Sequence, residues 1–139
     1  MGLVLVAEDD ASTMFVICSV IKRMGHSALR ASNGRIAWEI LQDNHDLVDL
    51  LITDLMMPEM DGHDLIHNIR QDIKTAKLPI IVQSAYLGVK GTRNLMEEGV
   101  DAVIPKPIDG KYLMDHIARH IAVSNRTAAP TPKMEPAVN

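Results

Sequence analysis

The sequence predicts an α/β fold, a doubly wound five-stranded parallel sheet with helices on both faces. Three observations lead there. Short apolar runs alternate with segments of helical period, and five such pairs follow one another along the chain. The spacing leaves room for a helix between consecutive runs, which implies parallel strands joined by right-handed crossovers. Acids, a serine and a lysine directly follow four of the five runs, so parallel strands would carry them all to one edge of the sheet. In the common 2-1-3-4-5 strand order, that edge has its ligand crevice between strands one and three.

The first pair is Leu3–Ala7 followed by a helix over Ala11–Met24, where Met14, Ile17, Cys18 and Ile21 recur at helical spacing before Gly25. A weaker strand, Ala28–Ser32, precedes Asn33, a candidate cap for a helix that buries Ile36, Ala37, Ile40 and Leu41. The third run, Leu50 to Thr53, closes at Asp54 and opens into the breaker-rich stretch Leu55 to Gly62. Leu65, Ile66, Ile69 and Ile73 form the next helical stripe, and Pro79 starts the strand Ile80–Val82, which ends at Gln83 and Ser84. The fourth helix, about Val89–Glu98, has glycines near its start and few apolar anchors, namely Val89, Leu95 and Met96, so it is expected to be the least firmly held element. The fifth strand spans Ala102–Ile104, and a last helix from about Asp109 buries Leu113, Ile117 and Ile121. Residues 1–123 read as one domain, and 124–139 as a flexible proline-rich tail or truncated linker.

With 139 residues, the chain is long enough for one domain that buries roughly two-thirds of its unfolded surface. A net charge of -4 and a pI near 5.8 give no electrostatic footprint for direct nucleic-acid binding. No apolar stretch reaches membrane-span length, and the N-terminus lacks the basic segment of an export signal. Cys18 is the only cysteine and falls in a helical pattern, where it reads as a core residue; a cytoplasmic location is expected.

Glu8, Asp9 and Asp54 would crowd three carboxylates at one sheet edge, which calls for a neutralising cation. Oxygen ligands that leave room for several waters suit Mg²⁺. Ser84 adds a hydroxyl and Lys106 an ammonium, and together these groups can position and neutralise a phosphoryl group. Asp54, central among them, is the candidate nucleophile that would form an acyl phosphate. Taken singly, each has a plainer role: Asp54 a cap or turn former, Glu8, Asp9 and Asp10 a solvated acidic N-terminus to the first helix that suits its dipole, Ser84 a helix cap, Lys106 a surface charge, and His116 with His120 a surface pair. Their joint placement at the ends of the right strands overrides those roles.

These residues give the chain a specific resemblance to the receiver domains of two-component response regulators, of the kind seen in single-domain chemotaxis regulators. The motifs are Glu8-Asp9, Asp54 with Met57-Pro58-Glu59-Met60-Asp61-Gly62, Ser84-Ala85 and Lys106-Pro107, and the likeness runs from about Leu3 to Ile121. The resemblance implies the flavodoxin-like receiver fold. It implies that Asp54 accepts a phosphoryl group from a histidine kinase or histidine phosphotransfer protein, as a signalling switch rather than a turnover enzyme. It further implies Mg²⁺ held by Asp9, Asp54 and the backbone carbonyl of Met56, with Glu8 acting largely through water, and a cis bond between Lys106 and Pro107. A downstream protein would bind near helix 4, strand 5 and helix 5.

Two positions depart from the family pattern. Val103 stands where an aromatic switch residue is usual, and Pro105 directly precedes the lysine. The switch is therefore expected to run through Ser84, Tyr86 and the fourth helix. The alternatives are a receiver cut from a longer regulator with a C-terminal effector, and a receiver-like module that is not phosphorylated. A dehalogenase-like phosphatase is disfavoured because Asp54-Leu55-Met56 lacks the Asp-x-Asp spacing, and a flavin-binding relative because Glu8-Asp9-Asp10 would repel a phosphate.

Overall fold

A computed structural model describes residues 1–85, 87–121 and 132–133. Five strands alternate with five helices: β1 (Leu3–Ala7), α1 (Ala11–Arg23), β2 (Ser27–Ala31), α2 (Gly34–Asn44), β3 (Leu50–Asp54), α3 (Gly62–Gln71), β4 (Ile80–Ser84), α4 (Gly88–Glu97), β5 (Ala102–Pro105) and α5 (Gly110–His120). The strands form one parallel sheet in the order β2-β1-β3-β4-β5, as the alternation implies.

The two-residue period of a strand splits each apolar run between the faces of the sheet. Leu3, Leu5, Leu51, Ile80 and Val82 pack on one side with Ala37, Ile40 and Leu41 of α2, Leu65, Ile66 and Ile69 of α3, and Leu95 of α4. Val4, Val6, Leu50, Ile52 and Ile81 pack on the other with Ile17 and Ile21 of α1 and Leu113 and Ile117 of α5. β1 and β3 are buried along their whole length, the condition for a central parallel strand. Cys18 is buried in the second of these cores, as expected.

Local signals fix most element ends. Asp10, Asn33, Asp61 and Asp109 cap α1, α2, α3 and α5 by accepting backbone N–H bonds from the first turn. α4 begins at Gly88, and its N-cap is Leu87, with no side-chain cap bond, so Ser84 is not its cap. The expected anchors of α4 shrink as well: Leu95 alone is buried, while Val89 and Met96 face solvent. α3 stops at Gln71 because Asp72 turns the chain into extended backbone; Ile73 leaves the apolar stripe assigned to it and is 94% exposed. β2 lies one residue earlier than its pattern indicates, in register with the whole of β1. Pro105 extends β5 by one residue, paired with Ser84 at the sheet edge, where a missing N–H is tolerated. Among the described residues, no helix is long and apolar enough to cross a membrane.

At the edge where the strands begin, Gly2 N–H donates to Nδ1 of His26 at 2.8 Å. That bond needs a neutral imidazole. Burial, with the N-terminal charge nearby, depresses the His26 pKa below its ordinary value, against a smaller opposing pull from Asp49. A group whose folded pKa is depressed adds stability above its unfolded pKa, about 6.5, and that stability is lost as pH falls through the folded value. The wild type should therefore lose more unfolding free energy than His26→Gln between about pH 7 and pH 5. Equal losses in chemical-denaturation series at the two pH values would remove His26 from the account.

Candidate functional site

The C-terminal ends of four strands supply the site. Glu8 and Asp9 follow β1, Asp54 is the last residue of β3, Ser84 the last of β4, and Lys106 follows β5. The backbone continues the sheet past these ends: Glu8 N–H donates to Ala31 O at 3.0 Å, and Lys106 N–H to Ser84 O at 2.9 Å. The second bond closes the end of β5 that Pro105 cannot, so the unusual proline leaves the lysine anchored. The Lys106–Pro107 bond is cis.

The loop after Asp54 is held by close backbone approach. Gly62 N–H donates to Leu55 O at 2.8 Å, and a Cβ at Gly62 would collide with the Asp54 carbonyl oxygen. Only glycine lets α3 start so close to the end of β3. Within the loop Glu59 takes a left-handed conformation, φ 68°, which glycine adopts more readily.

The side chains converge. Glu8, Asp9 and Asp54 bring one carboxylate oxygen each within 4.8 Å of one another, with Glu8 and Asp54 buried and Asp9 exposed. Lys106 Nζ bridges the buried pair, donating to Asp54 Oδ2 at 2.8 Å and lying 3.1 Å from Glu8 Oε1. Asp54 Oδ1 accepts from Leu55 N–H at 2.7 Å and, weakly, from Met56 N–H at 3.4 Å, so the Met56 backbone lies beside the carboxylate. Burial raises the Glu8 pKa; hydrogen bonds from Asp10 N–H and Lys106 pull it back, and the Asp54 charge pushes it up again. Burial works against the Lys106 ammonium too, but hydrogen bonds and charge from Asp54 and Glu8 outweigh it and hold its pKa above the ordinary value. Three hard oxygens with an exposed mouth at Asp9 suit a divalent cation that keeps part of its water.

Asp10 stands outside the cluster as the cap of α1, bonded to Thr13. Ser84 is half-buried and lines, with Leu87, Val89, Thr92, Val103 and Pro105, a largely apolar groove of about 500 Å³ between α4 and β5. Val103 is half-buried against the core. Tyr86 lies outside the described residues. His116 packs between Tyr112, edge-on at 4.6 Å, and His120, stacked at 5.9 Å, away from the acids.

One residue escapes sequence reasoning. Gln83, fully buried on β4, donates from Nε2 to Glu8 Oε1 at 2.9 Å, while its own Oε1 has no hydrogen-bond partner. Its signal was present, since a glutamine interrupts an otherwise apolar central strand beside Asp54.

Residues 4–118 match the response regulator receiver domain family. The chain belongs to that family. The chemotaxis protein CheY homolog of Campylobacter jejuni is 36% identical over 115 residues, covering 81% of this chain and 88% of that protein. Sensor histidine kinase CheAY of Helicobacter pylori is 29% identical over 86% of this chain, but the match takes in 15% of the kinase. Among solved structures, a response regulator receiver protein from Pseudomonas putida superposes with a TM-score of 0.76 at 31% identity, covering 85% of this chain and 96% of that one. Receiver membership accords with the strand order and with acids gathered at the strand ends.

Within this receiver site, Gln83→Leu removes a donor that stabilises the Glu8 carboxylate. Glu8 should then titrate higher than in the wild type, followed by carboxyl carbon NMR in metal-free buffer. An unchanged titration would mean that Lys106 and Asp10 alone hold the carboxylate.

Proposed function

We propose that the protein is a phosphoacceptor of a two-component phosphorelay, with Asp54 as the residue phosphorylated. The observation that carries this reading is the position of Asp54: a buried carboxylate at the end of a central strand, with acids on one side and a bridging ammonium on the other. An Asp54 oxygen attacks the phosphorus of a phosphohistidine, the P–N bond breaks, and the imidazole leaves with the electron pair and takes up a proton. The product is an acyl phosphate, and water later returns it to the carboxylate and inorganic phosphate.

Mg²⁺, when bound by Asp9, Asp54 and the Met56 carbonyl with Glu8 behind water, supplies charge neutralisation for the transferring oxygens. Lys106 releases Asp54 and pairs with the new phosphoryl oxygens. Ser84 donates its hydroxyl to the same group. Gln83 keeps Glu8 in place while the lysine changes partners. Turnover of an external substrate is not part of the role, and a cytoplasmic histidine kinase or phosphotransfer protein is the donor. The match to part of a sensor histidine kinase supports that pairing.

Output follows from movement at Ser84. Without an aromatic ring at Val103, the change passes into the loop around Tyr86 and the uncapped N-terminus of α4, altering the face of α4, β5 and α5 offered to a protein target. The receiver unit is taken as residues 1–123 with 124–139 as its tail or linker; of these, 122–131 and 134–139 lie outside the described residues. The presence and convergence of Glu8, Asp9, Asp54 and Lys106 favour phosphorylation over a role as an unphosphorylated binding module.

Incubation with Mg²⁺ and a small acyl-phosphate donor, followed by intact mass, should show one added phosphoryl group, absent in Asp54→Asn. An adduct that persists in that variant would displace Asp54 from its role. Asp9→Ala should weaken Mg²⁺ binding at least about tenfold in an NMR titration, since a direct ligand matters no less than an outer-shell partner. Unchanged affinity would move the cation elsewhere.

A further inference from the structure

At the sheet edge opposite Asp54, a second polar constellation takes no part in phosphoryl chemistry. Asn44, the last residue of α2, is fully buried. Its Nδ2 donates to Ile40 O at 2.8 Å, one turn back in the helix, and also to Lys133 O at 2.6 Å. Its Oδ1 accepts from Lys133 N–H, again at 2.6 Å. The two residues lie 89 positions apart in the sequence.

In an extended chain, a residue points its own N–H and C=O to the same side, where a neighbouring strand would answer with an acceptor and a donor. A primary amide presents that same pair of groups. Asn44 thus meets the main chain of Lys133 as a strand edge would, and reads backbone rather than side chain. We propose that Asn44 is a main-chain clamp for a peptide, and that its occupant is this chain's own Pro132–Lys133 segment, docked in cis.

Three further observations support that occupant. With the segment in place, both ends of the buried Asn44 amide are satisfied, Nδ2 by Ile40 O and Lys133 O and Oδ1 by Lys133 N–H. Pro130, Pro132 and Pro136 surround Lys133, and proline restricts φ and favours extended chain, which lowers the ordering cost of docking. The reach suffices as well. Ile121, just beyond α5, stands against Gly2 at the edge where β1 begins. Eleven residues from there to Pro132 span at most about 36 Å, against a width of about 19 Å for five strands. The clamp would tie the chain leaving α5 to the end of α2, on the far side of the domain from the phosphorylation edge. It does not depend on Asp54 being phosphorylated.

The test uses the full chain, isotopically labelled, with two tail variants that leave the domain untouched. Lys133→Pro deletes the N–H that Asn44 Oδ1 accepts; Lys133→Ala keeps both backbone groups. The Asn44 side-chain amide resonances should shift and their protons lose exchange protection in Lys133→Pro, while Lys133→Ala matches wild type. Two results would overturn the proposal: wild-type Asn44 signals in both variants, or equal shifts in both. Dilution of the wild type separates the remaining possibility. If the docked Asn44 signals fade as concentration falls, the occupant is the tail of a second copy and docking in cis is wrong.

Discussion

The ammonium of Lys106 between two buried carboxylates is the contact on which the rest of the site depends. The Glu8 side chain is 0% exposed and that of Asp54 10%, and each charge moved out of water costs several kcal/mol unless it is paired and hydrogen-bonded. Parallel strands leave no choice about where these charges go, since β1 and β3 are neighbours and both end at the same edge. A lysine after β5, two strands from β3 in the sheet, can reach back across β4 to neutralise them both. Its backbone is fixed for the task by the N–H bond to Ser84 O.

That arrangement divides the domain into a firmly held part and a loosely held part. The loop after Asp54 is pinned by Gly62 against the strand end and by Gly34 N–H on Met60 O at 2.9 Å, so the acid cannot drift. α4 is secured chiefly towards its C-terminal end, where Leu95 is buried and Arg70 donates to Gly99 O at 2.7 Å. Its N-terminal end has no side-chain cap, rests on the partly buried Leu87 with no fully buried anchor, and adjoins Ser84. Low local stability at the N-terminal end of α4, beside Ser84, is what the proposed switch would use.

The sequence made the fold legible because each strand is a compact apolar run and each turn has chemistry of its own. The acids after β1, the Asp54-to-Gly62 loop and Lys106-Pro107 were legible for the same reason: strand direction alone sends them to one edge. What escaped depends on tertiary packing. Ile73 continues an apolar period, but Asp72 ends the helix and the side chain faces solvent. Val89 looks like an anchor, yet α4 is rotated so that Leu95 alone reaches the core. The Gln83–Glu8 bond joins residues 75 apart and the Asn44–Lys133 pair residues 89 apart, and no local pattern announces either.

The most direct test of the charge bridge is a double-mutant cycle on folding stability in metal-free buffer, with Lys106→Met, Asp54→Asn and the pair. If the ammonium neutralises buried charge, Lys106→Met strands two carboxylates and Asp54→Asn relieves much of that strain. The coupling energy should then reach about 1–3 kcal/mol, with the double variant more stable than the two single effects would sum to. Additive effects, within about 0.5 kcal/mol, would mean that Lys106 and Asp54 do not sense one another and that the site is not organised around their contact.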